Sequence, residues 1–289
     1  MLNVREYHRV SSIEEALELL RKQPAASLVS GGTALIGESP ENIETVIDIS
    51  ALPLDQIALD REHNLLTLGA NVTHQMLVEG AGDLPLTPMF EILCTTAHAM
   101  SGLNIRNRAT LGGALATADS ASPLVTALLA CDAEVSVWTA SASTDKPRTL
   151  PLAGFLSYRA QILAEGALIT HIRLPLADPA MRFAYDRVAR TPRDYPIVCA
   201  VARCAMKDGI VGSVRIALGG VAATPIRLPA LELGLEKKPL LDFLDRELLS
   251  AISALNPPSD WLGSAEYRRE MAGVLARRAI LRAAQAAQG

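Results

Sequence analysis

The sequence predicts an α+β fold with separate sheets, followed by a C-terminal part built from three antiparallel strands and a group of helices. Strand and helix patterns are mixed in the first 175 residues, three strand patterns adjoin after residue 180, and helical patterns fill the rest. Neither G-x-G-x-x-G nor G-x-x-x-x-G-K-[ST] occurs. The missing motifs argue against a doubly wound dinucleotide-binding sheet and against a nucleoside triphosphatase.

The first fifty residues predict a strand, a helix and two further strands. Residues 4–7 form the first strand candidate. Ser12 and Glu15 form a capping box that opens an amphipathic helix over residues 13–22, and Pro24 ends it. The two following strands are predicted at residues 26–30 and 45–49.

Residues 54–175 predict a second sheet with helices. Strands are expected at 57–59 and 65–69, separated by a polar turn, and Thr73 caps a short helix over 75–79. The remaining predicted elements are helices at 88–100 and 124–130 and strands at 133–139 and 167–174.

A boundary falls at residues 175–179, where the chain has the sequence Pro-Leu-Ala-Asp-Pro. Beyond it, strands are predicted at 182–189, 197–207 and 211–218, the last two joined by a Lys-Asp-Gly turn. Helices are predicted at 228–235, 240–255 and 264–287. We therefore expect one domain over 1–175, with subdomains of about 1–53 and 54–175, and a second domain over 176–289.

Composition limits the class of protein. The chain has 289 residues, 49% of them hydrophobic, so a sizeable core is possible. A formal net charge of −4 and scattered Arg residues argue against a nucleic-acid partner. No apolar run reaches the length of a membrane span and no signal-peptide stretch opens the chain, so we expect a cytoplasmic protein.

The sequence offers no metal ligands and no catalytic side chains. The four cysteines form no C-x-x-C pair and have apolar neighbours, as expected of buried free thiols. The five histidines lack metal-binding spacing. No nucleophile–base pair and no paired carboxylates emerge either. Any chemistry is therefore expected to belong to a cofactor.

Two glycine pairs in distant parts of the chain are the most informative motifs. Glycine lets backbone N–H groups turn toward an anion with no Cβ in the way, so two such loops facing each other would hold the two phosphates of a dinucleotide. The candidate binding residues of the first loop are Ser30, Gly31, Gly32, Thr33, Ala34 and Leu35. Those of the second loop are Thr110, Leu111, Gly112, Gly113 and Ala114.

In these loops and in their order, the chain resembles the FAD-binding medium subunit of molybdenum hydroxylases, the family of bacterial carbon monoxide dehydrogenase and xanthine dehydrogenase. The resemblance extends through LLACDAEV at 128–135, IRLP at 172–175, IALGGV at 216–221 and GSAEYRR at 263–269. It implies a two-subdomain FAD-binding domain of the PCMH type over 1–175, with FAD between the subdomains. A C-terminal domain over 176–289 would close over one face of the flavin.

The resemblance also implies a function. Such a chain is an oxidoreductase component that accepts electrons from the iron–sulfur clusters of a partner subunit onto FAD and passes them to an external acceptor. The implied partners are a large molybdopterin-binding subunit and a small subunit with two-iron two-sulfur clusters, assembled as a dimer of heterotrimers. Two alternatives stay open: a scaffold subunit of the same kind of complex that has lost FAD, and a stand-alone flavoprotein oxidase.

Further cofactor contacts follow from the resemblance. Thr117 would add a hydroxyl one turn after the second loop, and Ile169 and Met100 match apolar positions that line the cofactor in relatives. Arg187 stands where the family has a Lys, and a cation near the N1–C2=O edge stabilises the anionic reduced flavin. Tyr195 would cover one face of the ring.

Three positions depart from the family pattern. Ala34 and Ala114 replace polar residues that follow the two glycine pairs, and Pro123 stands where the family has an Asp. Each lost side-chain contact would cost about 1 kcal/mol of binding. We therefore expect FAD to be bound, but more weakly than in relatives.

Overall fold

The computed structural model describes residues 4–23, 25–38, 43–80, 87–141, 146–176, 178–191 and 194–287. It divides into two compact units whose segments interleave along the chain. Unit 1 comprises Met1–Ala81, Gly102–Thr117 and Ala133–Pro175, and unit 2 comprises Gly82–Ser101, Ala118–Asp132 and Leu176–Gly289. Pro24, the predicted end of the first helix, lies outside the described residues.

Strands and helices are numbered in chain order. The strands are β1 (Glu6–Arg9), β2 (Ser27–Val29), β3 (Thr45–Asp48), β4 (Ile57–Asp60), β5 (Leu65–Gly69), β6 (Glu134–Thr139), β7 (Arg148–Pro151), β8 (Ala167–Pro175), β9 (Arg182–Val188), β10 (Val198–Lys207), β11 (Ile210–Gly219) and β12 (Ile226–Arg227). The helices are α1 (Ile13–Lys22), α2 (Thr33–Glu38), α3 (His74–Glu79), α4 (Pro88–His98), α5 (Leu103–Arg106), α6 (Leu111–Thr117), α7 (Pro123–Ala130), α8 (Leu152–Ser157), α9 (Arg159–Ala164), α10 (Pro229–Leu235), α11 (Leu240–Ser253) and α12 (Ala265–Ala286).

The first sheet of unit 1 has three parallel strands in the order β1-β3-β2. Helices α1 and α2 provide the two crossovers that parallel neighbours require. The Ser12 hydroxyl accepts the Glu15 N–H at 3.1 Å and so starts α1 at the predicted N-cap, while the Glu15 carboxylate accepts the Ser11 N–H at 2.8 Å in place of the Ser12 N–H that a capping box requires. Ala16, Leu17 and Leu20 of α1 are buried together with Ile47 of β3. One face of α1 therefore packs on this sheet.

The second sheet of unit 1 has five antiparallel strands in the order β4-β5-β8-β6-β7. Leu66 and Leu68 of β5 pair with Leu174 and Ile172 of β8, and all four side chains are buried. The alternation of apolar positions along these strands turns one face of the sheet toward the core. The predicted hairpin at 57–69 is confirmed.

Unit 2 contains a four-stranded antiparallel sheet in the order β12-β11-β10-β9. Ala200 and Ala202 of β10 belong to one apolar core with Ala276 of α12, on one face of the sheet. Cys199, the residue before Ala200, points to the opposite face, where its sulfur lies 3.6 Å from the Thr126 hydroxyl of α7. Both faces are covered, which explains why β10 is apolar almost throughout.

The predicted α+β architecture with separate sheets is confirmed, and the structure adds elements to it. The two-residue strand β12 makes the C-terminal sheet four-stranded. Sequence patterns did not predict helices α2, α5, α6, α8 and α9 or strand β7. Helices α4 and α7 pack on β9, β10 and β11 in unit 2, so the compact units differ from the chain-order division at residue 175. That division stays a prediction.

Candidate functional site

The first glycine loop leaves β2 and enters the first turn of α2. Among the residues that the structure describes, the N–H groups of residues 31–35 have no hydrogen-bond acceptor. Gly32 has a φ of +74°, in the left-handed region that favours glycine. Successive N–H groups in such a turn at the start of a helix form a concave donor site for an anion.

The structure brings the two glycine loops together within unit 1. A Cβ atom at Gly31 would lie 1.7 Å from the backbone oxygen of Arg108, which is closer than any non-bonded contact allows. Arg108 belongs to the segment that leads into the second loop. Glycine at position 31 is therefore required for the two backbones to touch.

The second glycine loop lies in the first turn of α6 and is bonded to its own unit. The Leu111 N–H donates to the Val72 oxygen at 2.9 Å, and the Gly112 N–H donates to the Ala70 oxygen at 2.8 Å. A Cβ at Gly112 would lie 2.9 Å from the Ala70 Cβ and 3.0 Å from the Ala70 oxygen. Gly112 thus serves close packing of two backbones.

Two further donors of this loop are used by Thr110. The Gly113 N–H donates to the Thr110 hydroxyl at 3.2 Å, and the Ala114 N–H donates to the Thr110 backbone oxygen at 2.9 Å. The expectation that the second loop presents free main-chain donors is therefore wrong for residues 111–114. Their contact with FAD stays a prediction.

Thr117 and Ile169, the other predicted contacts in unit 1, are both engaged. The Thr117 hydroxyl donates to the Gly113 oxygen at 2.9 Å, one turn earlier in the same helix. Ile169 is buried in β8, opposite Val137 of β6 and next to a register shift in that ladder. In this structure the Thr117 hydroxyl is hydrogen-bonded to the backbone of its own helix, and Ile169 contributes to the core.

Arg187 and Tyr195 lie in unit 2 and flank the same stretch of chain. The Arg187 guanidinium donates to the Asp194 oxygen at 3.1 Å and to the Ala99 oxygen at 3.5 Å. The Tyr195 hydroxyl lies 4.0 Å from the Met100 sulfur. The structure thus groups Arg187, Tyr195 and Met100 around the end of α4.

The Tyr195 phenol is kept neutral by its surroundings. Burial raises its pKa, and the negative charge of Asp119 adds to that rise. Met100, in turn, lies 3.5 Å from the Ser122 hydroxyl. Pro123, the predicted departure from the family pattern, is the first residue of α7 directly after its N-cap Ser122. Proline at this position suits a helix start, because its missing N–H would be unbonded there anyway.

Sequence reasoning missed the segment that fixes the second loop. Ala70 and Val72 follow β5 and supply the two oxygens that bond Gly112 and Leu111. Between them, Asn71 is buried and donates to the Ile49 oxygen at 2.9 Å and the Leu52 oxygen at 3.2 Å. A polar residue directly after an apolar strand was the available signal, but its partners are distant in the sequence.

Comparisons with known proteins agree with the fold. Residues 2–177 match the family described as the FAD binding domain in molybdopterin dehydrogenase. Residues 183–283 match the CO dehydrogenase flavoprotein C-terminal domain. The chain belongs to the FAD-binding medium-subunit family of molybdenum hydroxylases, and the resemblance seen in the sequence is confirmed.

Relatives match along their whole length. The carbon monoxide dehydrogenase medium chain of Afipia carboxidovorans is 30% identical, over 96% of each chain. The glyceraldehyde dehydrogenase medium chain of Sulfolobus acidocaldarius is 28% identical, over 95% of this chain and 96% of the relative. The solved structure of reconstituted CO dehydrogenase from Oligotropha carboxidovorans superposes with a TM-score of 0.86 at 26% identity, covering 98% of each chain.

These findings define the chain as the FAD-binding component of an oxidoreductase. None of the helices in the described part of the chain is both long and apolar enough to cross a bilayer.

Proposed function

We propose that this chain binds FAD through its first glycine loop, receives electrons from iron–sulfur clusters of a partner subunit and passes them to an external acceptor. The observation that carries the proposal is the row of N–H groups at residues 31–35, which find no acceptor in the part of the chain that the structure describes. A diphosphate needs donors that the protein has not already used, and this loop supplies them in one turn.

The residues of the loop fit a dinucleotide. All of its donors are neutral, and Gly31 and Gly32 keep Cβ atoms away from the approach. The loop residues are partly exposed, so their N–H groups are accessible. When bound, FAD supplies the redox chemistry, because its ring system takes up and releases electrons.

The chain's own residues would bind and shield the cofactor. We infer that Arg187 places a positive charge beside the flavin and that Tyr195, as a neutral phenol, covers one face of the ring and limits access of water. The second loop would support the site mainly by holding its backbone against Gly31, as its contact through Arg108 indicates. No side chain of this chain is assigned a proton-transfer or nucleophilic role.

The relatives' names support a multi-subunit setting. Two of them are medium chains of dehydrogenases, which implies larger and smaller companions. We propose that this chain joins a large molybdopterin-binding subunit and a small subunit with two-iron two-sulfur clusters, as a dimer of heterotrimers in the cytoplasm.

Ala34 offers a test that spares the fold. It is the second residue of α2, where a carboxylate favours the helix. In Ala34→Asp, however, the new charge would face a bound diphosphate, and repulsion of about 3 kcal/mol at an effective dielectric constant near 20 corresponds to a loss of FAD affinity of about 100-fold. Ala34→Asn matches the shape without the charge and should stay within about tenfold of the unmodified protein.

The measurement is FAD per chain and its dissociation constant in the complex purified with its companion subunits. Equal FAD affinity in Ala34→Asp and Ala34→Asn would exclude the first loop as the diphosphate site. A colourless complex that takes up no added FAD would instead support the scaffold alternative. Substrate oxidation by this chain without companions would support the stand-alone oxidase.

A further inference from the structure

Arg268 forms a buried junction at the start of α12. Its side chain is 4% exposed. One guanidinium nitrogen donates to the Ile197 oxygen at 2.6 Å and to the Gly220 oxygen at 3.0 Å. The other donates to both carboxylate oxygens of Asp260, at 2.8 and 2.7 Å. A single side chain thus joins two strand ends to a helix.

A buried guanidinium is stabilised when its charge is paired and its donors have acceptors. Both terminal nitrogens of Arg268 are bonded, whereas its Nε has no partner among the described residues. Asp260 supplies the charge and is itself held, because it accepts the Leu262 N–H at 2.9 Å and the Gly263 N–H at 3.2 Å. The hydrogen bond from Arg268 also lowers the pKa of Asp260, so the pair stays ionised. The junction therefore has one defined geometry.

The glycine pair at the end of β11 makes this junction possible. Gly220 has a φ of +81°, and a Cβ there would lie 2.1 Å from the Ile197 oxygen. Only glycine lets the two backbone oxygens converge on one guanidinium. The Gly220 N–H in turn donates to the Ser120 oxygen at 2.6 Å, two residues before the Ser122 that contacts Met100.

Ile197 closes the loop that carries Tyr195. Its N–H donates to the Val188 oxygen at 2.8 Å, while its oxygen accepts from Arg268. Tyr195 stands two positions earlier, in the same connection between β9 and β10. Near the start of that connection, the Arg190 guanidinium lies 5.6 Å from the centre of the Trp261 ring. The segment 260–268 therefore holds the loop near both ends.

We propose that Arg268 is a positioning residue of the flavin site, which fixes Ile197 and Gly220 and thereby sets the orientation of Tyr195. The inference rests on the proposed function, in which Tyr195 covers one face of the flavin. Without the junction, the Tyr195 side chain is chemically unchanged but is no longer held in one orientation. The first glycine loop, in unit 1, is untouched by the change.

The test uses Arg268→Gln, Arg268→Lys and, as a matched control, Arg269→Gln in the complete complex. Arg269 is the next residue of α12 and donates to the Leu255 oxygen at 3.0 Å, away from the Tyr195 loop. Arg268→Gln should keep its FAD, while flavin fluorescence rises about two- to tenfold as stacking by the aromatic ring is lost. Arg268→Lys should give a smaller rise in fluorescence. Its ammonium group keeps the positive charge and can donate to carbonyl oxygens, but it lacks the planar, two-pronged donor geometry of a guanidinium. Arg269→Gln should match the unmodified complex.

A double-mutant cycle separates positioning from general loosening. If Arg268 acts through Tyr195, Arg268→Gln should add nothing to the fluorescence of Tyr195→Leu, whereas independent effects would multiply. Should both Arg268 variants fail to fold, Asp260→Asn provides the readout. It removes the negative charge of Asp260 and leaves the two hydrogen bonds from Arg268 to backbone oxygens. A smaller rise in flavin fluorescence is therefore expected.

The failures of the two proposals differ. A complex that binds FAD, responds to Tyr195→Leu and shows unchanged flavin fluorescence and visible circular dichroism in Arg268→Gln or Asp260→Asn would overturn the role of Arg268 alone. If the fluorescence of bound FAD were the same in Tyr195→Leu and the unmodified complex, the proposed role of Arg268 would be overturned as well. Absence of FAD from the unmodified complex would overturn the proposed function first.

Discussion

The two glycine loops of unit 1 share a sequence signature and differ in their hydrogen bonds. Both place a glycine pair beside a Thr, and both enter the first turn of a short helix. Within the described chain, residues 31–35 keep their N–H groups unbonded, whereas residues 111–114 donate all of theirs to Ala70, Val72 and Thr110. A glycine pair therefore indicates that another group comes close to the backbone. Other segments of the chain determine whether that group is a ligand or a second stretch of backbone.

The difference has a physical cause. The first loop leaves an edge strand of the parallel sheet; Gly31 lies against the Arg108 oxygen, but the N–H groups of residues 31–35 have no acceptor in the described structure. The second loop runs beside residues 70–73, where the Ala70 and Val72 oxygens accept two of its N–H groups, and Thr73 and Thr110 form a β-bridge. One loop is thus available to an anion and the other is part of the scaffold that supports it.

The largest effect is expected from Gly31→Ala. The added Cβ would meet the Arg108 oxygen at 1.7 Å, and backbone cannot yield as a flexible side chain does. We expect the free energy of unfolding to fall by about 1–3 kcal/mol. FAD affinity should fall as well, because the two loops can no longer touch. Urea unfolding and FAD titration of the same preparation would measure both.

Gly37→Ala is the matched control, since it lies in α2 and a Cβ there meets nothing within 4 Å. Removing a helix glycine should leave stability unchanged or raise it by up to about 1 kcal/mol. A Gly31→Ala protein as stable as Gly37→Ala would show that the loops do not need their contact.

Local patterns predicted the fold well, and long-range contacts decided the rest. The α1 N-cap and the 57–69 hairpin depend on residues a few positions apart, so the sequence contains their full signal. Helices α2 and α6 were not predicted because Gly37, and Gly112 with Gly113, have low helix propensity. Two-residue β12 is too short for any periodicity.

The candidate site shows the same limit. The glycine loops were found from residue type and order alone. The partners that distinguish them, Ala70 for Gly112 and Arg108 for Gly31, depend on chain segments that meet only in the folded unit. The Arg268 junction was invisible for the same reason, because its two backbone acceptors, Ile197 and Gly220, carry no side-chain signature.

Ala114→Asp sharpens the comparison between the loops. The Ala114 N–H donates to Thr110, and the N–H groups of the preceding loop residues also have acceptors. A diphosphate would therefore find no free donor at residues 111–114. We expect FAD affinity to fall less than about tenfold, against about 100-fold for Ala34→Asp. Both dissociation constants would be measured in the same buffer, because salt screens such repulsion.

Ala114→Asn controls for size. Equal losses in Ala114→Asp and Ala34→Asp, with both Asn variants intact, would mean that the second loop releases its donors when the cofactor binds. The contrast between the loops would then describe only the protein without FAD.

The smallest effect concerns His74, which begins α3 beside the second loop. The residue is 3% exposed, and its backbone N–H donates to the Ala109 oxygen at 2.9 Å. The pKa of its imidazole is lowered to about 4, mainly by burial; a hydrogen bond with the Thr110 backbone opposes this shift, and the nearby charge of Arg106 adds to it. His74 is therefore neutral in the folded protein at pH 7.

This depressed pKa makes stability depend on pH with a defined sign. In the unfolded chain His74 takes up a proton near its ordinary pKa of about 6.5, while the folded protein does not until the pH nears 4. The unfolded state thus binds more protons in that window, and stability falls as pH falls through it. Between about pH 7 and pH 5.5 the loss should be about 1 kcal/mol, concentrated at the second loop.

His74→Gln removes the titrating group, so its unfolding free energy should lose about 1 kcal/mol less than the unmodified chain over the same interval. His63→Gln makes the same change at an exposed histidine and controls for the substitution itself. Hydrogen exchange at residues 109–114 would locate the change, since the second loop depends on packing against His74 and its neighbours. If the free energy of unfolding of His74→Gln and of the unmodified chain depended on pH in the same way, the neutral His74 imidazole would not be what holds the second loop. That result would not bear on the N–H groups of the first loop.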